Sequence, residues 1–108
     1  MKKMELSQVL SLLDEAKKKY SQEGVYLLGL FGSYAKGNSD QFSDIDIAYK
    51  LDYELFSQKY DDGFSKILRL KEIKESLENL FHKKVDLVSL NSNNKKFIEH
   101  VEKEMISV

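Results

Sequence analysis

The sequence predicts an α/β (α+β) domain with a mixed β-sheet of three or more strands and helices packed mainly on one face of it. Segments with helical periodicity alternate along the chain with short apolar or alternating segments, as expected when helices pack on a sheet. The length of 108 residues suits one domain, so residues 1–108 are predicted to form a single unit. Three of the five glycines lie between positions 29 and 37, where we expect sharp turns or close approach to a ligand.

The first half of the chain predicts one helix and two strands. Apolar residues recur at helical spacing between residues 5 and 20. The nearly continuous apolar run at 25–31 is typical of a buried strand. Residues 44–49 alternate between polar and apolar side chains and predict a second strand, with Ile45 and Ile47 pointing into the core.

The second half predicts two helices and a third strand. Residues 51–63 give no clear pattern, and the next helix is predicted over residues 64–81 by an apolar stripe that leaves Leu70 to one side. The stripe consists of Phe64, Ile67, Leu68, Ile73, Leu77, Leu80 and Phe81. Residues 85–90 predict the third strand, and an asparagine of the loop at 91–94 is expected to cap a last helix.

Composition excludes several classes of protein. The net charge of -1 gives no overall field that would draw the chain to a nucleic acid or a membrane, so direct binding to nucleic acid is not expected. The absence of cysteine excludes disulfides and cysteine-bound zinc. No apolar run reaches the ~18 residues of a membrane span, and the first residues lack the apolar stretch of a signal peptide. We expect a cytoplasmic protein.

Two carboxylates on the second predicted strand are candidates for metal binding. Asp44 and Asp46 are two residues apart, so both side chains project from the same face, about 6.5–7 Å apart at the backbone. Such a pair can bridge two divalent ions held ~3.5–4 Å apart, an arrangement that clamps a phosphoryl group during displacement. Oxygen ligands favour Mg²⁺ or Mn²⁺. A pair of this kind also occurs by chance, in which case Asp44 would simply end the preceding loop.

A third carboxylate, Asp86, lies within the apolar third strand between Val85 and Leu87. We expect it to be buried and to need a partner, because an isolated charge in a core is very costly. If its strand is next to that of Asp44 and Asp46, all three acids meet. Asp86 could then ligate a metal and accept the proton of an attacking hydroxyl. Alternatively, it could satisfy a nearby backbone group.

A Gly-Ser turn follows the first predicted strand. Free backbone N–H groups at Gly32 and Ser33 could bind phosphate, with the Ser33 hydroxyl as an additional donor. Gly32 and Gly37 have the glycine spacing of a P-loop, but Asn38 and Ser39 stand where that motif requires Lys and Ser/Thr, so a P-loop is excluded. The remaining alternative is an ordinary turn between strands.

Two segments together carry a family resemblance. The first is Gly32-Ser33-Tyr34-Ala35-Lys36-Gly37, and the second is Ser43-Asp44-Ile45-Asp46-Ile47. In this order and spacing they resemble the DNA polymerase β-like nucleotidyltransferase superfamily, and most of all its minimal nucleotidyltransferases. Asp86, in Val85-Asp86-Leu87-Val88, matches the third carboxylate of that superfamily.

The resemblance implies the nucleotidyltransferase fold and roles for the matched residues. Asp44, Asp46 and Asp86 would be catalytic and would bind two Mg²⁺ or Mn²⁺ ions, with ATP as the nucleotide donor. Gly32, Ser33 and Lys36 would bind the nucleotide. Lys36 stands where many relatives carry arginine, and lysine cannot make the same bidentate contact with phosphate, so it is the weakest of the three candidates.

Relatives of this size resemble antitoxins that pair with a helical ribonuclease toxin of the HEPN class. In such pairs the nucleotidyltransferase would transfer AMP from ATP to a tyrosine of the toxin. Two alternatives remain open from the sequence. One is an enzyme that modifies a small molecule such as an aminoglycoside, although such enzymes usually carry a further domain. The other is a module that binds a toxin without catalysis.

Overall fold

A computed structural model describes residues 5–32, 44–91 and 94–108 of the chain. In these residues the helices are α1 (Leu6–Ser21), α2 (Tyr53–Lys59), α3 (Gly63–Phe81) and α4 (Lys95–Glu104). The strands are β1 (Val25–Phe31), β2 (Ile45–Leu51), β3 (Val85–Ser89) and β4 (Ile106–Ser107). None of the helices in this part of the chain combines the length and the apolarity needed to cross a bilayer.

The four strands form one mixed sheet in the order β3-β2-β1-β4. β1 is antiparallel to both β2 and β4, whereas β2 and β3 are parallel. The parallel pair is connected by α2 and α3, as parallel neighbours require a long crossover. The predicted mixed sheet of three or more strands is therefore confirmed, with β3 at one edge.

Most of the core lies on one face of the sheet. There α1, α2 and α3 pack against the inward side chains of β1, β2 and β3. Ile45 and Ile47 are fully buried on this face, as predicted from the alternation in their strand. Only α4 among the described helices packs on the opposite face, where Val101 and Leu90 enclose Ala48. The helices thus lie mainly on one face, which confirms the predicted arrangement.

Two elements were not predicted. α2 occupies the segment 51–63 that had no clear periodicity, and it is started by Asp52, whose carboxylate accepts a hydrogen bond from the Leu55 amide at 3.1 Å. β4 is only two residues long, too short for any pattern to indicate. The capping of the last helix by asparagine is confirmed, since the Asn94 side chain accepts a hydrogen bond from the Phe97 amide at 3.1 Å.

The predicted apolar stripe of α3 is partly wrong. Phe64, Ile67, Leu68 and Leu80 are 77%, 70%, 46% and 39% exposed. The helix instead buries Ile73, Leu77 and Phe81, and Leu70, which the pattern left to one side, packs against the core. The sequence holds two overlapping apolar stripes, and docking onto the sheet selects the one that contains Leu70.

Candidate active site

Strand register brings two of the predicted site residues side by side. In the parallel pair of β2 and β3, Asp46 is the direct partner of Asp86. Neighbouring strands lie about 4.7–4.9 Å apart, and paired residues project from the same face. On the other side of β2, Asp46 is paired with Phe31 of β1. Asp46 is therefore flanked by an apolar side chain and by a second carboxyl group.

This setting has an electrostatic consequence for Asp46. Its side chain is half-buried, and this burial is the largest cause that raises the pKa of Asp46 above its ordinary value. The charges of Asp86 and Asp44 raise the pKa further, and so does a hydrogen bond with the Asp86 carboxyl group. Two carboxyl groups can make such a bond only if they share a proton. A cation at this position would relieve the same repulsion.

The expected burial of Asp86 is wrong. Its side chain is exposed, although Val85 before it is fully buried. β3 is an edge strand, and Asp86 faces away from the helices that cover the core, because side chains alternate along a strand. The strand of Asp86 does lie next to that of Asp46, so these two acids meet, as expected for neighbouring strands.

Asp44 lies one residue before β2 and is exposed. Its charge still acts on Asp46, so the two acids of the predicted pair are electrostatically coupled. The structure thus brings Asp44, Asp46 and Asp86 to one end of the sheet. Asp46 is the acid whose pKa is raised by the charges of both of the others.

Gly32 closes the other side of Asp46. Its φ angle is 77°, in the left-handed region that favours glycine. A Cβ atom at this position would overlap the Oδ2 atom of Asp46 and would lie 3.2 Å from its Cγ. The predicted phosphate-binding turn therefore begins directly beside the acids. Ser33 and Lys36, the other two predicted nucleotide-binding residues, lie outside the described residues.

The donor set fits a divalent cation that is completed by its substrate. Within residues 5–32, 44–91 and 94–108, no three acidic, histidine or cysteine side chains are grouped closely enough to hold a metal by themselves. Mg²⁺ is usually bound by one or two carboxylates together with the phosphates of a nucleotide, rather than by an all-protein cage. The paired carboxyl groups of Asp46 and Asp86, with Asp44 near them, suit that mode.

Sequence reasoning did not single out Phe31 as part of the site. Its half-buried side chain lies on the same face as Asp46, in register with it. The only available signal was its place at the end of the apolar run, immediately before Gly32. Its pairing with Asp46 depends on the β-bulge between Leu27 and Gly29, which the sequence did not indicate.

Comparisons with known proteins agree with this geometry. A family model described as polymerase beta nucleotidyltransferase matches residues 13–108. Over 109 residues and the full length of both chains, the protein is 31% identical to the protein adenylyltransferase MntA of Thermococcus cleftensis. It is 35% identical over 88 residues to a provisionally named protein adenylyltransferase of Methanocaldococcus jannaschii, which covers 81% of this chain and 91% of that relative.

Solved structures show the same fold. One, provisionally described as a minimal nucleotidyltransferase, has a TM-score of 0.73 at 23% identity and covers 97% of both chains. Another, described as a toxin–antitoxin with AMP-PNP, has a TM-score of 0.59 at 24% identity and covers 96% of this chain and 72% of that one. The toxin–antitoxin structure therefore contains a chain of this fold.

Proposed function

Since this chain belongs to the polymerase beta nucleotidyltransferase family and is an enzyme of that class, we propose that it transfers AMP from ATP to a tyrosine of a partner protein. The partner would be a HEPN-class ribonuclease toxin, and the chain its cytoplasmic antitoxin, acting as a single catalytic domain over residues 1–108. The observation that carries the proposal is the pairing of Asp46 with Asp86 beside Gly32. The 31% identity, over the full length of both chains, to a relative named as a protein adenylyltransferase supports the choice of acceptor class.

The exposure of Asp86 suits a macromolecular acceptor. A tyrosine hydroxyl has a pKa near 10 and is a poor nucleophile at neutral pH. A carboxylate on the open face of an edge strand can meet a side chain that a partner protein presents, whereas a buried one could not. We assign to Asp86 the removal of the tyrosine proton as the phenolic oxygen attacks.

The proposed transfer step is an in-line displacement at the α-phosphorus of ATP. The tyrosine oxygen forms a bond to the α-phosphorus of ATP, the bond from that phosphorus to the bridging oxygen of the β-phosphate breaks, and pyrophosphate leaves. Mg²⁺ or Mn²⁺ ions, held by Asp44, Asp46 and Asp86, would supply positive charge for the phosphates when bound. The backbone at Gly32 would let the phosphates approach these acids. The Ser33 hydroxyl and the Lys36 ammonium group remain predicted contacts to the nucleotide.

The first test is mass spectrometry of the partner. The chain is incubated with ATP, MgCl₂ and a HEPN-class ribonuclease toxin as the candidate partner. We expect the wild-type chain to add an AMP-sized mass to a tyrosine, and Asp46→Asn to add none. Asp86→Asn should be slower by about 10²-fold or more, the scale of a lost general base. Asp61→Asn serves as the matched control, because Asp61 is also an exposed acid and lies outside the site.

The outcomes separate the proposed function from its alternatives. Full transfer by Asp46→Asn would contradict the assignment of the site. A wild-type chain that silences its partner without adding mass would instead be a binding module. Transfer of AMP to a small molecule but not to the partner would indicate the aminoglycoside type of enzyme.

A further inference from the structure

The peptide group between Lys84 and Val85, one residue before Asp86, is held from both sides. The backbone carbonyl oxygen of Lys84 accepts a hydrogen bond at 2.9 Å from the Ile45 amide of β2. Because the carbonyl and the amide of a trans peptide point in opposite directions, the Val85 amide points away from β2, toward the open edge of the sheet. The Glu78 side chain of α3 accepts a hydrogen bond from that amide at 3.1 Å. An edge amide that no strand can pair is thus satisfied by a carboxylate.

We propose that Glu78 is a positioning residue that holds Asp86 beside Asp46. This inference rests on the proposed function. The contact fixes the Lys84–Val85 peptide, one residue before Asp86, where the parallel pairing with β2 begins. Among the described residues, β3 has a single neighbouring strand, so its start lacks a second ladder of hydrogen bonds there. Glu78 replaces that ladder at the position where a shift would separate the two acids.

The surrounding contacts show why the side chain of Val85 does not do this alone. Val85 is fully buried and anchors β3 to the core, but an apolar side chain fixes depth better than position along the strand. The chain reaches β3 directly from the end of α3, where His82 has a φ angle of 56°. The link of residues 82–84 is short, so a contact from α3 to Val85 ties the strand to the helix itself.

Two variants separate the reach of the Glu78 side chain from its charge. Glu78→Gln keeps a carbonyl oxygen at the same distance and loses the charge. Glu78→Asp keeps the charge and withdraws the carboxylate by one methylene group. We expect Glu78→Gln to transfer AMP at the wild-type kcat. Glu78→Asp should lower kcat by about 3- to 10-fold, the effect of one hydrogen bond, with the KM for ATP unchanged. Glu75→Asp, an exposed position on the same helix, is the control.

A double-mutant comparison tests whether the effect passes through Asp86. In the Asp86→Asn background, Glu78→Asp should cause no further loss, because the group it positions is already disabled. Independently of activity, NMR should show faster hydrogen exchange of the Val85 amide in Glu78→Asp. It should also show weaker cross-strand contacts between Asp46 and Asp86 in Glu78→Asp, whereas Glu78→Gln should keep the wild-type amide protection and the wild-type contacts.

Three results would overturn the proposal. One is a loss of kcat in Glu78→Gln that Glu78→Asp does not share, which would assign the effect to the charge of Glu78. Another is an undiminished effect of Glu78→Asp in the Asp86→Asn background. The third is unchanged contacts between Asp46 and Asp86 in Glu78→Asp, which would refute the positioning role whether or not the wild-type chain transfers AMP. An inactive wild-type chain with weakened contacts in Glu78→Asp would count against the proposed function alone.

Discussion

The backbone at Gly32 meets two demands that no other residue type satisfies together. Its φ angle of 77° strains a residue with a side chain, and the space that a Cβ atom would need is filled by the carboxylate of Asp46. A side chain here would push Asp46 away from Asp86 or reopen the turn. The glycine therefore acts on the position of the acids as well as, under the proposed function, on the approach of phosphate.

We expect Gly32→Ala to lower the rate of AMP transfer by about 10- to 100-fold, because it displaces a site group by a fraction of an ångström to an ångström. It should also lower the free energy of unfolding by about 1–3 kcal/mol through backbone strain. Gly63→Ala is the matched control, since a Cβ atom there meets nothing within 4 Å. Enzyme kinetics and urea unfolding measure the two effects, and a fully active Gly32→Ala variant would contradict the close contact.

Single residues also mark the limit of sequence reasoning at the site. Alternation along a strand was enough to place Asp46 on one face and Ile45 and Ile47 on the other. The exposure of Asp86 could not be foreseen, because an acid between apolar neighbours looks the same in a central strand and in an edge strand. Only the order of strands decides between the two, and that order depends on contacts distant in sequence.

A polar cluster joins α3 to the turn after α1 and to the residue that follows α2. Glu23, in the turn after α1, accepts hydrogen bonds from Arg69 of α3 at 2.7 and 2.8 Å. The Tyr60 hydroxyl, just after α2, donates to the same carboxylate at 2.5 Å. Glu23 is only 8% exposed, and Arg69 is the single arginine of the chain. No sequence pattern connects these residues, which come from three separate segments.

This cluster should make the fold sensitive to acid. The hydrogen bond from Arg69 is the largest cause that shifts the pKa of Glu23, and it holds that pKa below its ordinary value. The carboxylate therefore stabilises the fold above the unfolded pKa, and this contribution is lost as the pH falls through the lower folded value. Glu23→Gln should cost stability at pH 7 and much less at about pH 3. Urea unfolding at the two pH values measures the difference.

Glu15→Gln, at an exposed position of α1, is the control for a lost surface charge. If Glu23→Gln destabilised the chain equally at both pH values, the shape of the side chain, and not its ionised contact with Arg69, would account for its role.

The two apolar stripes of α3 differ in what they contribute to stability. Ile73 is fully buried, whereas Ile67 is 70% exposed on another face of the helix. Ile73→Ala should cost about 2–5 kcal/mol in the free energy of unfolding, as for other buried truncations. Ile67→Ala, the matched exposed change, should stay within about 0.5 kcal/mol. Urea unfolding measures both variants. Equal losses in the free energy of unfolding would contradict the burial of Ile73 and the exposure of Ile67.

For the molecule as a whole, periodicity predicted the class of fold and most elements. The failures share a cause. The two residues of β4 pair with β1 because Gly29 leaves room, since a Cβ atom there would lie 2.5 Å from both the Ile106 carbonyl oxygen and the Met105 Cγ. α2 is defined largely by its cap at Asp52 and by Phe56 in the core. Both elements form through tertiary contacts, and local patterns do not record those contacts.

The edge position of β3 also bears on how the enzyme responds to heat. A strand with one neighbour opens locally at a lower free energy than the whole domain unfolds, because fewer hydrogen bonds must break. Such an opening would carry Asp86 away from Asp46 while α1, β1 and β2 stay folded. Under the proposed role of Asp86, catalysis would then fail through a local fluctuation before the core melts. Selection for activity at a given temperature would act first on the edge of the sheet, and only afterwards on its centre.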